Sequence, residues 1–244
     1  PQKIRSMGVV ILKRRLLALL TALPMTVLAD SAGRHTQPIA VDHIVFATPD
    51  IQRSVKELEQ RLGVRASPGG SHTGAGTRNE LLALGPSTYL EIIGPDLDQP
   101  EPAQPRPFGV DSLTSPKIVS WAVRSDRLED RRTTAANKGV SLGAVMNVER
   151  QRSDGVKLHW QMTTPSSDPQ ANLIPFYIDW EQSPHPALTA APGLTLLSLR
   201  AEHPNPEKIS SMLRALDIEM QVTSASEPAL IATIEGPLGK VELR

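Results

Sequence analysis

The sequence contains no cysteine and few aromatic residues, and both shortages exclude classes of protein. Without cysteine the 244-residue chain can form no disulfide bond, thiolate zinc site, iron–sulfur cluster or cysteine nucleophile. Aromatic residues make up only 3% of the chain, so few rings are available to stack on nucleobases. No order of Ser, His and Asp residues carries the context of a catalytic triad, which argues against a serine hydrolase. The remaining composition, 39% hydrophobic and 21% charged, is typical of a soluble globular protein.

Residues 1–29 differ from the rest of the chain and have the pattern of a signal peptide. A basic triplet over residues 13–15 precedes an apolar run over residues 16–28, and Ala29 closes a small-residue cleavage pattern. The run is shorter than the roughly 17–25 residues that a membrane span needs, and Pro24 interrupts it, so we expect no stable span. The protein is therefore expected to be exported to the periplasm if the leader is genuine. It is expected to be cytoplasmic if the stretch is only an extension upstream of the true start.

The charge balance argues against a nucleic-acid partner. The whole chain has 26 Lys and Arg against 26 Asp and Glu, and removal of the leader would leave 21 basic residues. No run of Lys and Arg lies outside the leader. A nucleic-acid-binding surface normally shows a cluster of basic residues, so we expect a small-molecule ligand instead.

From residue 41 onward the chain repeats one unit, a strand followed by a helix and then by further strands. In the first copy the helix after Asp50 places apolar residues at spacings of three and four, and a glycine-rich loop is predicted over residues 68–76. The three copies span residues 41–93, 117–180 and 194–244. This pattern predicts an α+β fold of repeated βαβββ modules, two of them paired and the third C-terminal.

Residues 41–93 resemble the vicinal oxygen chelate superfamily, and more narrowly its glyoxalase-like domain branch. The pieces that carry the resemblance are VDHIVFATPD, GGSHTGAGTRN and TYLEIIGPD. The resemblance implies the glyoxalase/dihydroxybiphenyl dioxygenase-like fold, in which paired modules form a cupped sheet around a metal or ligand site. No organic cofactor is implied.

The resemblance also implies metal ligands, a His from the first strand and a Glu from the last strand of each paired module. His43 and Glu91 match these positions in the first module, and both lie within apolar runs where an unpaired ionisable group is costly to bury. The second module departs from the pattern, because Ser120 and Asp179 stand where His and Glu are expected. A set of His43, Glu91 and Asp179 would suit Mg²⁺, Mn²⁺ or Fe²⁺ better than a closed Zn²⁺ site, and Ni²⁺ is a further candidate. The alternative is that His43 and Glu91 only hydrogen-bond each other or the backbone.

Further side chains are candidates for binding or acid–base chemistry. His72 and Arg78 lie in or beside the glycine-rich loop, where His72 could move a proton and Arg78 could clamp a carboxylate. The equally open alternative is a solvent-exposed turn with Arg78 in a surface ion pair. His159 and Trp160 are adjacent on a strand, so only one of them can enter the cup. The remaining candidates for substrate contact are Asn79, Trp121, Trp180 and His185.

Two functions follow from these residues. The first is a divalent-metal-dependent lyase, isomerase or dioxygenase that binds vicinal oxygens of a small substrate, with the metal stabilising a developing oxyanion. The second is a metal-free protein that binds or sequesters a small molecule in the same cup. The departure at Ser120 favours binding, and the match of His43 and Glu91 favours the enzyme.

The odd number of modules raises the question of what covers the third one. An unpaired module leaves a sheet edge or face uncovered, and a homodimer through residues 194–244 would cover it. The competing solution is packing against one of the first two modules within the chain.

Overall fold

The computed structural model describes residues 41–152, 154–165 and 171–244, and the predicted leader over residues 1–29 lies outside them. The α-helices of these ranges are α1 (Ile51–Leu62), α2 (Leu128–Asn137) and α3 (Pro206–Ala215). The strands are β1 (Val41–Ala47), β2 (Ser67–His72), β3 (Thr77–Gly85), β4 (Thr88–Pro95), β5 (Lys117–Arg124), β6 (Val145–Gln151), β7 (Lys157–Thr163), β8 (Phe176–Asp179), β9 (Thr195–His203), β10 (Val222–Ser224), β11 (Ala229–Gly236) and β12 (Gly239–Leu243). Within the described ranges, no helix combines the length and the apolar character needed to cross a membrane.

The element order is βαβββ three times over, and it confirms the predicted α+β fold class. The first eight strands close into a barrel in the order β1-β4-β3-β2-β6-β7-β8-β5. The barrel is closed by the antiparallel pairing of β1 with β5 and, on the opposite side, by a short seam between β2 and β6. That seam consists of a single residue pair, Ser71 with Gln151.

Strands β1, β3, β4 and β5 of the barrel are buried on both faces, which explains why their sequences are largely apolar runs rather than alternating patterns. In β1 the side chains of Val45 and Ala47 belong to the cluster inside the barrel, whereas Ile44 and Phe46 belong to the cluster outside it. The outside cluster also contains the buried face of α1, including Leu58. The alternation along β1 therefore divides its side chains between the cluster inside the barrel and the cluster that packs outside it.

Helix α1 begins and ends where its sequence predicts. The Asp50 side chain accepts a hydrogen bond from the backbone N–H of Arg53 and so caps the first turn. Gly63 ends the helix in the left-handed conformation with φ of 83°, which costs little for a residue without Cβ.

The strand β2 replaces the loop that the glycine-rich sequence predicts. Residues Ser67–His72 pair with β3 in antiparallel register from Ser67 with Leu81 to His72 with Thr77. The prediction was wrong here because glycines supply no apolar alternation, so the sequence carries no strand signal. Gly69 is needed for space as well, since a Cβ at this position would overlap the Asn79 side chain.

The last four strands form a separate sheet in the order β10-β9-β11-β12. Its buried residues Leu230, Ala232 and Ile234 join the same cluster as Leu58 and Leu62 of α1. The third module therefore packs against the rest of the chain, which is the second of the two solutions considered above. The homodimer through residues 194–244 stays a prediction, and a monomeric mass in solution would contradict it.

The substitution Leu90→Ala tests how much the burial of β4 on both faces contributes to the stability of the fold. Its side chain is 0% exposed, so Leu90→Ala should lower the free energy of unfolding by about 2–5 kcal/mol through lost burial and the cavity left behind. The matched control is Leu97→Ala, since Leu97 is 88% exposed and its truncation should change the value by less than about 0.5 kcal/mol. Urea unfolding followed by circular dichroism measures both. Equal effects of the two variants would contradict the assignment of Leu90 to the core.

Candidate functional site

A group of buried polar side chains lies inside the barrel at the contact between β1 and β4. These strands are parallel, with His43 opposite Tyr89 and Val45 opposite Glu91. His43 and Glu91 thus stand two residues apart along neighbouring strands and on the same face. Both are buried, and His43 Nε2 lies 3.9 Å from Glu91 Oε2. The convergence expected for these two residues is observed in the structure.

The Asp42 carboxylate contacts the His43 ring at the nitrogen that lies away from Glu91. The Asp42 carboxylate is 0% exposed, and its Oδ1 lies 2.8 Å from His43 Nδ1. It also accepts hydrogen bonds from Arg124 Nε at 3.0 Å and from Trp180 Nε1 at 3.2 Å, and His185 Nε2 lies 3.1 Å away. Burial by itself raises the pKa of the Asp42 carboxyl, but the hydrogen bonds with His185 and His43 outweigh burial and hold the pKa well below its usual range.

The ionised Asp42 fixes the tautomer of His43. A carboxylate can only accept hydrogen bonds, so the proton of the His43 ring must lie on Nδ1. In the neutral ring, the lone pair of Nε2 then faces the Glu91 carboxylate. The distance of 3.9 Å is too long for a hydrogen bond, so these two electron-rich atoms face each other across a gap.

The other oxygen of Glu91 is held by Asn79. The side-chain N–H of Asn79 donates to Glu91 Oε1 at 2.6 Å, and Arg150 Nη1 donates to Asn79 Oδ1 at 3.2 Å. Arginine has no acceptor, so this contact fixes which end of the Asn79 amide faces Glu91. Glu91 Oε2 is left facing His43.

His72 from β2 approaches the same carboxylate from the other side. Its Nε2 lies 3.8 Å from Glu91 Oε1 and accepts a long hydrogen bond of 3.4 Å from the Asn79 amide. Its Nδ1 lies 3.0 Å from the Thr77 hydroxyl, which can accept the remaining ring proton. Burial lowers the pKa of His72 to about 4, against a smaller opposing effect of the Glu91 charge. His72 is therefore neutral at physiological pH, with Nε2 unprotonated.

Aromatic rings surround these polar groups. Tyr89 stacks on the His43 ring with centroids 4.8 Å apart, and Phe176 meets its edge at 5.4 Å. The rings of Trp160 and Trp180 pack together within the interior cluster, with centroids 5.1 Å apart. Burial raises the pKa of the Tyr89 hydroxyl well above its usual range, so Tyr89 stays protonated. The interior is thus a polar centre with apolar walls.

The donor set can be tested for its fit to a divalent cation. Bonds from such an ion to imidazole nitrogen and carboxylate oxygen are each about 2.0–2.2 Å long. One ion can therefore reach both His43 Nε2 and Glu91 Oε2 across their 3.9 Å separation. Among residues 41–152, 154–165 and 171–244, no group of three or more His, Asp or Glu side chains is placed to hold one ion. The pair fits a cation that takes its other ligands from substrate or water.

Asp179 is not brought to this pair, which corrects the predicted ligand set. Phe176 and Ile178 of β8 face the interior, so Asp179 projects to the other side by strand alternation. Its carboxylate accepts a hydrogen bond from the backbone N–H of Glu181 at 2.8 Å and stabilises the turn after β8. Ser120, at the position of the second expected imidazole, is buried opposite Val45.

Three of the predicted binding residues also lie elsewhere. Trp121 packs in the cluster outside the barrel, where its N–H donates to the Leu173 carbonyl at 3.0 Å. His159 is exposed beside Glu149, because Trp160 takes the interior position. Arg78 forms an ion pair of 3.1 Å with Glu80 and lines a cleft at the seam between β2 and β6. Trp180 and His185, in contrast, both contact Asp42.

Sequence reasoning missed two residues of the site, Asp42 and Arg150. Asp42 carried a usable signal, because an aspartate inside the run Val41–Ala47 is as costly to bury unpaired as His43 is. Arg150 carried none, since β6 reads as a half-exposed strand in which one more charged residue is ordinary.

A cleft of about 470 Å³ opens at the seam between β2 and β6, and Asn79 reaches it from the interior. Its wall is formed by glycines and by polar or charged side chains of β2, β3, β6 and the segments that follow β4 and β6. The lining residues are Pro68, Gly70, Ser71, Thr73, Arg78, Asn79, Glu80, Asp96, Asp98, Gln151, Arg152 and Gly155.

Comparisons with known proteins agree with this architecture. A family model described as a glyoxalase-like domain matches residues 41–216. No curated protein sequence matches the chain. A hypothetical protein from Staphylococcus aureus is similar in structure with a TM-score of 0.57 and 16% identity, over 83% of each chain. At such low identity this likeness bears on the fold alone.

Two further solved structures are more distant. Methylmalonyl-CoA epimerase from Mycobacterium tuberculosis gives a TM-score of 0.38 and 16% identity, over 59% of this chain and 88% of the epimerase. A mutant of 4-hydroxymandelate synthase from Streptomyces coelicolor gives a TM-score of 0.46 and 13% identity, over 84% of this chain and 62% of the synthase.

The neutral state of His72, whose side chain is 14% exposed, predicts a pH dependence of stability. As pH falls from about 6.5 to about 4, the unfolded chain binds a proton at this histidine while the folded protein does not, so stability is lost in this window. His72→Gln should remove about 1–3 kcal/mol of that loss, measured by urea unfolding of metal-free protein at a series of pH values. The control is His159→Gln, since His159 is exposed. An unchanged pH dependence in His72→Gln would contradict the neutral state.

Proposed function

The chain belongs to the glyoxalase-like domain family, and from this premise we propose that it is a divalent-metal-dependent isomerase or lyase acting on a small oxygen-rich substrate. The observation that carries the proposal is the gap of 3.9 Å between His43 Nε2 and Glu91 Oε2. Both atoms present lone pairs in a buried, largely apolar space, where an unshared pair of this kind is costly. A cation shared by the two atoms satisfies both.

His43 and Glu91 would hold the ion, and their surroundings prepare them for it. Asp42 keeps the proton on Nδ1 of His43 and so leaves Nε2 free to bind. Asn79 occupies Oε1 of Glu91 and directs Oε2 toward His43. When bound, a divalent ion supplies Lewis-acid stabilisation of negative charge that develops on a substrate oxygen. The use of only two protein ligands leaves room for two vicinal oxygens of the substrate.

His72 is the proposed acid–base group. Its neutral ring has an unprotonated Nε2 within 3.8 Å of Glu91, so it is positioned to take a proton from a substrate carbon next to a carbonyl group. The electron pair left by that proton moves onto the carbonyl oxygen, and the imidazolium returns the proton to a neighbouring atom. This proton transfer favours an isomerase or lyase over a dioxygenase. Tyr89, Phe176 and Trp180 exclude water from the reacting groups.

The second candidate is a metal-free binding protein with the same interior. It is favoured by Ser120 at the place of the second expected imidazole and by the lack of a three-ligand group among the residues that the structure describes. In this case Trp160 and Trp180 would form the apolar wall of the binding site.

Metal binding by the untagged full chain separates the two candidates. We expect near-stoichiometric Mn, Fe, Ni or Zn by elemental analysis, or saturable Mn²⁺ binding by calorimetry after metal removal. His43→Ala and Glu91→Gln should each weaken Mn²⁺ binding by roughly 100-fold or more, because one of two protein ligands is lost. Asp179→Asn is the matched control and should bind as the wild type does, since Asp179 faces away from the pair. A wild type that binds no metal even after reconstitution would contradict the enzyme proposal and favour the binding protein.

The substitution Asp42→Asn tests whether the orientation of the His43 ring affects metal binding. Asp42→Asn keeps the shape of the side chain but removes the charge that fixes the tautomer, and it should weaken Mn²⁺ binding by about 10- to 100-fold. Asp126→Asn, a substitution at an exposed position after β5, should leave binding unchanged. Thermal unfolding of both variants shows whether the fold is intact. Wild-type affinity in a folded Asp42→Asn variant would contradict the positioning role of Asp42.

A further inference from the structure

The interior of the barrel contains a buried arginine that the proposed reaction does not use. Arg150 lies on β6, opposite Leu158 of β7, and the residue is only 4% exposed. Arginine stays a cation at physiological pH, and burial lowers its pKa without removing the charge. A buried charge is normally paired with an opposite one, because its desolvation costs several kcal/mol or more.

Among the described residues, no carboxylate forms an ion pair with Arg150. Its hydrogen bond is the one from Nη1 to the neutral Asn79 amide at 3.2 Å. The nearby arginines differ in this respect, since Arg78 pairs with Glu80 at 3.1 Å and Arg152 pairs with Asp154 at 2.7 Å. Arg150 is thus the cation of this region whose charge is left for another partner.

Glu91 attracts Arg150 but does not close an ion pair with it. The Asn79 amide stands between them, bonded to Arg150 through its oxygen and to Glu91 through its nitrogen. The guanidinium therefore lies two hydrogen bonds away from the carboxylate that faces His43. A ligand of a few carbon atoms is long enough to contact both places.

The strand β2 makes room for the guanidinium and gives access to it. A Cβ on Gly69 would come within 2.9 Å of Arg150 Nη1, and one on Gly70 within 3.2 Å. Gly70 and Asn79 also line the cleft at the β2–β6 seam, so Arg150 lies directly behind the cleft wall. The seam has a single strand pair, Ser71 with Gln151, which makes it the weakest closure of the barrel.

We propose that Arg150 binds an anionic group of the substrate, so that the substrate is a small carboxylate or phosphate that also carries vicinal oxygens. This inference rests on the proposed function and specifies its substrate class. The guanidinium offers paired N–H donors whose planar geometry suits carboxylate and phosphate oxygens. An anion bound to Arg150 supplies the opposite charge that no carboxylate in the described part of the chain provides.

The test uses metal-free full-length protein and three probes, pyruvate, inorganic phosphate and the neutral ester methyl pyruvate, each titrated by calorimetry. We expect pyruvate or phosphate to bind at least 10-fold more tightly than methyl pyruvate. Tighter binding of pyruvate identifies a carboxylate substrate, and tighter binding of phosphate identifies a phosphorylated one. Arg150→Gln should weaken binding of the preferred anion by roughly 10- to 100-fold, since a charge-assisted pair is lost.

Arg200→Gln is the matched control, because its guanidinium is already paired with Glu202 and Glu242 in the second sheet and does not line the cleft, and it should change anion affinity by less than 2-fold. Arg150→Lys guards against a folding defect in Arg150→Gln, since it keeps the charge and should retain anion binding with a several-fold loss. Failure of the wild type to bind either anion, or equal binding by wild type and folded Arg150→Gln, would overturn the proposal.

Titration of the same variants with Mn²⁺ separates this proposal from the metal proposal. Arg150→Gln should weaken Mn²⁺ binding far less than His43→Ala does, because Arg150 is not a ligand and contacts Glu91 only through Asn79. Anion binding that depends on Arg150 in a protein that binds no Mn²⁺ would support the anion site and reject the metal. Mn²⁺ binding that depends on His43, with anion binding that ignores Arg150, would do the reverse.

Discussion

The hydrogen bond between the buried Asp42 carboxylate and His43 is the interaction on which the rest of the site depends. Because Asp42 is ionised and accepts from His43, Arg124 and Trp180, the ring proton of His43 is fixed on the side away from Glu91. The lone pair of the other ring nitrogen then faces the Glu91 carboxylate inside the barrel. The proposed binding of a cation by this pair depends on that constraint, and so does the choice between an enzyme and a binding protein.

The barrel makes this arrangement possible because its strands are buried on both sides. Outside, Ile44 and Phe46 hold β1 against the helices and the second sheet, so the strand does not depend on its interior side chains for packing. The interior is therefore free to carry polar residues such as His43, Glu91 and Arg150. Asn79 links the two halves of this interior, since it joins Glu91 from the first module to Arg150 from the second.

Much of this site was predictable from the sequence, and the errors have physical reasons. An ionisable residue within an apolar run has to find a partner, so His43 and Glu91 were identified correctly as a converging pair. The position of Asp179 was wrong by one residue, and in a strand one residue reverses the face that a side chain occupies. Trp121 lies outside the barrel for a related reason, because both faces of β5 are buried and hydrophobicity does not distinguish them.

The most direct test of this site is a measurement of the ring tautomers of His43 and His72. Nitrogen-15 NMR of the metal-free protein, with both resonances assigned through His→Gln variants, reports which ring nitrogen carries the proton. We expect a proton on Nδ1 and none on Nε2 for both residues near neutral pH. A proton on Nε2 of His43, whether as the other tautomer or as an imidazolium between Asp42 and Glu91, would contradict it, because no lone pair would then face Glu91.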